Sequence, residues 1–245
     1  MGKLITLEKS VIPACDVADL DKLYDLVAAT KDVPGIGGYK IGLELAIPYG
    51  LAAIVKSIRY QHTQLPIIYD HQKGGTDIPE LGTKFAKAVK GSGVDAVILF
   101  PFGGAATEEA WIKACQDAGL TVLVGGHMTQ AKFLDNEGGF ISFNAPELIY
   151  KIAAKNGLTD FVVPGNKTDF VLQYRQVLNE VLGEGKFTLY APGFISQGGD
   201  ITETGKVAGG NWHAIVGGAI YNNEGVDAMH QAAIKVTSQI VGVVP

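Results

Sequence analysis

Eight short apolar runs, each rich in β-branched residues, recur along the chain and constrain its fold more than any other feature. Each run is almost continuously hydrophobic, which is typical of parallel strands covered on both faces rather than of half-exposed strands. The runs comprise residues 10–14, 38–42, 66–70, 94–100, 121–125, 161–164, 187–191 and 213–216.

The spacing of the runs predicts how the strands are connected. Successive runs begin roughly 26 to 28 residues apart, about the length of one β/α unit. The interval after the fifth run is longer by about a dozen residues, and its Asp-Asn-Glu-Gly-Gly stretch at 135–139 predicts a loop insertion. Apolar residues at spacings of three and four predict helices between the runs, at 19–27, 45–58, 79–89, 107–118, 146–154 and 169–182.

Eight consecutive β/α units favour closure into a (β/α)8 barrel, the TIM barrel of the α/β class. An open doubly wound sheet is the main alternative, but no G-x-G-x-x-G motif follows the first run. No linker or low-complexity segment interrupts the chain of 245 residues, so we expect a single domain over residues 1–245.

Composition narrows the functional classes. A net charge of −5 argues against a nucleic-acid binder, although it leaves room for a small anionic ligand. The two cysteines, Cys15 and Cys115, are too few for a disulfide framework or a cysteine metal cluster. Neither a signal peptide nor a long apolar segment is present in the sequence, so a soluble cytoplasmic protein is the default expectation.

The third run is followed by the sharpest chemical pattern. In a (β/α)8 barrel the active site lies at the carboxyl ends of the strands, and here Asp70, Lys73 and Asp77 follow one another at such an end. Two carboxylates flanking a lysine favour its ammonium form and so prepare it to donate a proton. Asp70 beside a substrate carboxylate would also repel that group until it leaves as carbon dioxide.

Glycine-rich loops follow the seventh and eighth runs and predict a phosphate site. They contain Gln197-Gly198-Gly199-Asp200 and Gly217-Gly218. Barrels often bind phosphate at this place through backbone N–H groups, and glycine lets the backbone approach the anion closely. Two such loops indicate the site more strongly than one would.

These residues together resemble the orotidine 5'-monophosphate decarboxylase family. Asp70, Lys73 and Asp77-Ile78-Pro79 are similar to its Asp-x-Lys-x-x-Asp-Ile signature. Further matches occur in the expected order from about residue 11 to residue 221, at Asp16, Lys40, Met128-Thr129 and Gln197-Gly198-Gly199-Asp200.

The resemblance implies a metal-free decarboxylation of orotidine 5'-monophosphate to uridine 5'-monophosphate in pyrimidine biosynthesis, with no organic cofactor. Lys73 would protonate C6 of the pyrimidine, and Asp70 would hold Lys73 and press on the departing carboxylate. Asp77 would reach into the site of a neighbouring subunit, so the resemblance implies a homodimer with shared active sites. Lys40 would belong to the catalytic charge network, where it would orient Lys73, and would also bind ribose hydroxyls.

The resemblance also implies a set of substrate-binding residues. Asp16 would bind ribose hydroxyls, Thr129 would contact the pyrimidine, and Gln197 would bridge ring and phosphate. The phosphate would lie against the backbone of two glycines. The complete predicted substrate-binding set is Asp16, Lys40, Ile78, Thr129, Pro164, Lys167, Gln197, Gly217 and Gly218.

Two departures from the family pattern bear on proton transfer and on phosphate binding. The spacing from Asp70 to Lys73 and from Lys73 to Asp77 is one residue longer in each case, so we predict a bulge or early turn that restores convergence. Gly218 stands where the family has a phosphate-binding arginine. Lys167, in the loop after the sixth run, is the candidate replacement cation, and a degenerate or engineered position is the alternative.

Two other functions stay open. A related barrel enzyme, similar to 3-keto-gulonate 6-phosphate decarboxylase or hexulose 6-phosphate synthase, would use magnesium held by acidic residues, but would be expected to carry a glutamate in place of Lys40. A non-catalytic barrel that binds a phosphorylated ligand is the second alternative, and Gly218 and the stretched signature are its support.

Overall fold

The computed structural model describes residues 2–71, 77–194 and 197–240. These residues form eight parallel strands that alternate with helices in a (β/α)8 barrel, as the sequence predicts. The strands are β1 Lys9–Pro13, β2 Tyr39–Ile41, β3 Ile67–His71, β4 Ala96–Leu99, β5 Thr121–Gly125, β6 Asp160–Val162, β7 Thr188–Ala191 and β8 Trp212–Val216. Each of the eight predicted runs overlaps one of these strands.

Parallel pairing runs without a break from β2 through β3 to β8 and on to β1. Between β1 and β2 the ladder is reduced to isolated bridges, Val11 with Ile36 and Ala14 with Lys40. The Cys15 N–H donates to the Lys40 carbonyl at 2.8 Å, which ties the two strands together at their carboxyl ends. The barrel is therefore nearly closed, and the side chains of β1 and β2 reach a common interior.

The part of the chain that the structure describes contains ten α-helices. They are α1 Leu20–Thr30, α2 Leu43–Tyr49, α3 Leu51–Tyr60, α4 Gly82–Gly91, α5 Ala105–Asp117, α6 Ala145–Lys155, α7 Thr168–Leu182, α8 Ile201–Ala208, α9 Gly218–Tyr221 and α10 Val226–Ile240. The helix predicted over 45–58 is divided into α2 and α3 at Gly50, whose φ of 76° breaks the helical backbone. None of these helices combines the length and apolar character needed to cross a bilayer.

Two layers of apolar side chains stabilise the barrel. The larger layer lies between strands and helices, because strands covered by helices are buried on both faces. A smaller layer fills the barrel interior and includes Ile12, Ile68, Ile98, Leu123 and Ile215. This inner layer supports the cavity at the carboxyl ends of the strands from below.

Candidate active site

A cavity of about 210 Å³ opens at the carboxyl ends of the strands, where barrel enzymes carry their active sites. Seven residues predicted from the sequence to be in the site lie in its wall: Asp16, Lys40, Asp70, Thr129, Gln197, Gly217 and Gly218. They come from the ends of β1, β2, β3, β5, β7 and β8, so barrel closure unites positions that are up to 202 residues apart in the numbering.

Lys40 is the central charge of the cavity floor. Its Nζ lies 3.0 Å from Asp70 Oδ2 and 3.2 Å from Asp16 Oδ1, and the side chains of Lys40 and Asp70 are 9% and 8% exposed. Lys40 pairs in register with Ile68, two residues before Asp70. Because side chains alternate across a strand, that spacing directs Lys40 and Asp70 to the same interior face.

Burial by itself would lower the pKa of the Lys40 ammonium, but the negative charges of Asp70 and Asp16 outweigh it and raise the pKa above its usual value. Lys40 is therefore held as a cation. Asp70 Oδ1 is buried and accepts no hydrogen bond from any residue that the structure describes. A buried carboxylate oxygen calls for a donor, and Asp70 stands three positions before Lys73 in the sequence.

The end of the cavity beside β8 is formed by glycine backbone and an aromatic ring. A Cβ on Gly217 would lie 3.1 Å from the Tyr221 ring, so glycine permits the ring to pack against the backbone. A Cβ on Gly218 would meet only the end of the Asn222 side chain, at 2.7 Å. Burial, followed by the charges of Asp16 and Glu44, raises the pKa of Tyr221, which keeps its hydroxyl protonated.

Asn166 bridges the backbones of Thr129 and Gln197. The Asn166 amide donates to the Thr129 carbonyl at 3.0 Å and to the Gln197 carbonyl at 3.3 Å. A second cavity of about 620 Å³ adjoins this wall and shares Met128, Thr129 and Gln197 with the first. The loops after β5, β6 and β7 are thus joined at the mouth of the barrel.

The other predicted site residues that the structure describes do not line the main cavity. Lys73, and the bulge or early turn predicted beside it, fall outside the described residues. Asp77 is exposed and Ile78 is 57% exposed, and neither lines the cavity. Helix α5 holds their backbone: Thr107 Oγ1 donates to the Asp77 carbonyl at 2.9 Å, and Trp111 Nε1 donates to the Ile78 carbonyl at 3.1 Å.

Pro164 and Lys167 belong to the loop after β6 and do not line the main cavity. Pro164 is buried, and its carbonyl accepts a hydrogen bond from the Lys167 N–H at 2.9 Å. The Lys167 ammonium contacts His127 Nε2 at 2.9 Å and Glu137 Oε2 at 3.3 Å. These contacts engage two of the three N–H donors of the Lys167 ammonium.

Several cavity residues carry no chemical pattern that sequence reasoning could use. Apolar side chains of the inner barrel layer, such as Ile98 and Phe100, line the cavity together with His127 and Tyr221. The sequence suggests only a structural role for His127 at the barrel end. His127 is buried and hydrogen-bonded to Tyr174, in agreement with a structural role, but it also lies in the cavity wall. Its alternation with Thr129 along the chain was the available signal.

Known proteins resemble this chain in both sequence and fold. The orotidine 5'-phosphate decarboxylases of Methanosarcina barkeri and Pyrococcus abyssi are each 28% identical to it, over 94% and 86% of this chain and 94% and 91% of their own lengths. A crystal structure of orotidine 5'-monophosphate decarboxylase from Methanocaldococcus jannaschii, complexed with the inhibitor BMP, shares its fold with a TM-score of 0.81 at 21% identity, covering 96% of this chain and 99% of that one.

A crystal structure of orotidine 5'-phosphate decarboxylase from Pyrococcus horikoshii has the same fold, with a TM-score of 0.76 at 24% identity over 95% of this chain and 100% of that one. The model of the orotidine 5'-phosphate decarboxylase / HUMPS family matches residues 9–232, which include every strand of the barrel. The chain therefore belongs to the orotidine 5'-phosphate decarboxylase / HUMPS family.

Proposed function

We propose that this protein decarboxylates orotidine 5'-monophosphate to uridine 5'-monophosphate, the reaction that makes the pyrimidine nucleotide. The observation that carries the proposal is the array of Asp16, Lys40 and Asp70 on the cavity floor. A cation held between two carboxylates, largely shielded from water, provides a fixed charge pattern for a substrate that loses a negative group.

The proposed chemistry places Asp70 against the substrate carboxylate and Lys73 beside C6 of the pyrimidine. The bond between C6 and the carboxylate carbon breaks, carbon dioxide leaves, and the electron pair that remains on C6 takes a proton from the Lys73 ammonium. Lys40 holds the Asp70 carboxylate in place, because the two groups are in direct contact at 3.0 Å. Repulsion between Asp70 and the substrate carboxylate is relieved when carbon dioxide departs.

The rest of the nucleotide would lie along the cavity wall. We assign the ribose to Asp16 and Lys40, the pyrimidine to Thr129, and the phosphate to Gln197 with the backbone of Gly217 and Gly218. In this assignment, six of the seven predicted residues in the wall contact the ribose, the pyrimidine or the phosphate. Binding of the distant phosphate supplies energy that the reaction centre can use.

We also propose a homodimer in which Asp77 and Ile78 contact the partner subunit. Both lie after β3, exposed, and outside the cavity of their own chain. Helix α2, which follows the adjacent strand β2, presents further exposed apolar side chains, Ile47 at 77% and Leu43 at 37%. Exposed apolar residues grouped at one sector of the barrel favour burial against another protein surface. Mass measurement in solution tests the proposal, and a monomer at micromolar concentration would contradict it.

Turnover of orotidine 5'-monophosphate, followed by the change in ultraviolet absorbance, tests the activity. We expect formation of uridine 5'-monophosphate, its loss in Lys73→Ala, and full activity after exhaustive chelation. Activity that is lost on chelation and restored by magnesium would instead favour the related sugar-phosphate enzymes. Nucleotide binding without turnover, at high protein concentration, would favour a binding protein.

The position of Lys40 bears on the magnesium alternative. Its ammonium lies within hydrogen-bond distance of both Asp16 and Asp70, so it competes directly with a divalent cation for these carboxylates. This contact favours the metal-independent decarboxylation over the magnesium-dependent one.

A further inference from the structure

The long segment after β5 is a folded part of the barrel mouth. It closes on itself through the Gly139 N–H, which donates to the Leu134 carbonyl at 2.7 Å, and through Asp135 Oδ1, which accepts from the Phe143 N–H at 2.9 Å. Phe133 and Leu134 are 8% and 0% exposed, so the segment has its own buried anchor. We call residues 129–143 the mouth segment.

One ammonium group joins the mouth segment to the start of α7. Lys167 immediately precedes α7, and its Nζ contacts Glu137 of the mouth segment and His127 at the end of β5. The Lys167 and Glu137 side chains are 15% and 28% exposed, which makes this pair better shielded than the surface pair of Lys113 and Asp117, at 74% and 64%. Glu137 also accepts a hydrogen bond from the Phe133 N–H at 3.3 Å.

The contacts of His127 fix its protonation. An ammonium can only donate, so His127 Nε2 accepts from Lys167, and Nδ1 carries the proton that is donated to Tyr174 Oη at 2.8 Å. The imidazole also stacks on the Phe133 ring, with centroids 5.4 Å apart and planes inclined by 18°. Burial, followed by the charge of Lys167, lowers the pKa of His127 to about 4, in agreement with a neutral ring.

We propose that Lys167 and Glu137 are positioning residues that hold the mouth segment against His127 and thereby keep Thr129 in the cavity wall. Thr129 stands two residues after His127 and begins the mouth segment, so the contacts of Lys167 lie on both sides of it in the sequence. The Asn166 amide, next to Lys167, donates to the Thr129 carbonyl at 3.0 Å. The loop after β6 therefore holds Thr129 at both its backbone and its flanking residues.

This inference rests on the proposed function in one respect, because it assigns Thr129 to a nucleotide ring. It also differs from the expectation that Lys167 binds the phosphate directly. The two roles for Lys167 predict different changes in ligand affinity when Glu137 is replaced, because the negatively charged Glu137 would not contact a phosphate. They also predict different changes in affinity for a ligand that lacks the phosphate.

The test compares Lys167→Met, Glu137→Gln and Lys113→Met for the affinity of uridine 5'-monophosphate and of uridine, measured by calorimetry. A positioning role predicts that Lys167→Met and Glu137→Gln each weaken both ligands by the same factor, about tenfold, and that the double variant adds little. Lys113→Met should leave both affinities unchanged. Loss confined to uridine 5'-monophosphate, in Lys167→Met alone, would overturn the proposal in favour of direct phosphate binding.

Hydrogen exchange of the ligand-free protein separates this inference from the proposed function. We expect faster exchange of amides in residues 130–143 in Lys167→Met and Glu137→Gln, and recovery in Lys167→Arg, whose guanidinium can donate to both partners. Unchanged exchange would overturn the tether even if the enzyme is active. Faster exchange in a protein that binds no nucleotide would leave the tether standing and contradict the proposed function.

Discussion

Lys40 Nζ lies 3.0 Å from Asp70 Oδ2, and both side chains are almost completely buried on the cavity floor. The pair joins neighbouring strands β2 and β3 at inward-facing positions. Because Asp16 provides a second, partly exposed carboxylate, the site has one more negative than positive charge among these three residues. Lys73, three residues after Asp70 in the sequence, would supply the balancing cation in the proposed mechanism.

Removal of Lys40 should affect both stability and activity. In Lys40→Met, Asp70 keeps a buried charge without its cation, which costs about 3–5 kcal/mol of unfolding free energy. Turnover should fall by roughly 100-fold or more, since the charge pattern of the floor is lost. Urea denaturation and turnover assays measure the two effects.

The double variant Lys40→Met/Asp70→Asn is the control for the buried pair. It should regain part of the lost stability, because both charges are removed together, but none of the activity. Lys113→Met, which breaks an exposed pair, should change the unfolding free energy by less than about 1 kcal/mol. Equal losses in Lys40→Met and Lys113→Met would contradict the buried-pair interpretation.

Gly218→Arg should strengthen the binding of phosphorylated ligands. An added Cβ meets only the flexible end of the Asn222 side chain, which can rotate away. A guanidinium at this end of the cavity could then form charge-assisted hydrogen bonds with a phosphate. We expect affinity for uridine 5'-monophosphate to rise about tenfold, equivalent to about 1.4 kcal/mol, with uridine unchanged.

Gly218→Ala separates the effect of the side-chain charge from that of the Cβ itself. It should bind both ligands as the original protein does, provided that the Asn222 amide moves. A gain for uridine equal to the gain for uridine 5'-monophosphate, measured by calorimetry, would show that the phosphate does not lie beside residue 218.

Glu108 predicts an unusual pH dependence of stability. It is 1% exposed on α5, and burial, with a smaller contribution from Glu109, raises its pKa from 4.5 to about 8. The folded protein therefore retains a proton that the unfolded chain releases above pH 4.5. Because the folded state binds more protons between these values, the contribution of Glu108 to stability falls as the pH rises from about 4.5 through about 8.

Glu108→Gln should remove this dependence. The unfolding free energy of the variant, minus that of the original protein, should increase from pH 4.5 to pH 8.5 by about 4 kcal/mol. The buried histidines His127 and His213 have lowered pKa values, which destabilise the fold on acidification. Because both proteins contain these histidines, their contribution cancels when the two unfolding free energies are subtracted. A difference that stays constant with pH in urea denaturation would contradict an ionisable, buried Glu108.

Part of the fold follows from local sequence patterns, and part of it does not. All eight strands were predictable because strands covered on both faces need continuous apolar runs, whichever partner they pair with. Helices α8, α9 and α10 were not predicted, since the first two are short and follow glycine-rich loops. The prediction of one continuous helix over 45–58 was wrong. The apolar periodicity continues across Gly50, where the structure divides the segment into two helices.

Part of the candidate site, too, could be predicted from the sequence, and part of it could not. Polar residues at strand ends identified Asp16, Lys40 and Asp70, because the carboxyl ends of parallel strands meet at one face of a barrel. The sequence did not identify Tyr221 or the apolar residues of the inner layer as site residues. In sequence, they cannot be distinguished from ordinary core residues. The stretched spacing from Asp70 to Lys73 and Asp77 stays a prediction, since Lys73 lies outside the described residues.

Local patterns along the chain predict the number and order of the strands and place the charged residues at their carboxyl ends, because hydrophobic periodicity is a local property. Which of these charges meet is decided by folding. Lys40 and Lys167 are both lysines near strand ends, yet one lies between two carboxylates on the cavity floor and the other between His127 and Glu137. That difference depends on strand register and loop packing, which bring together residues far apart in the chain.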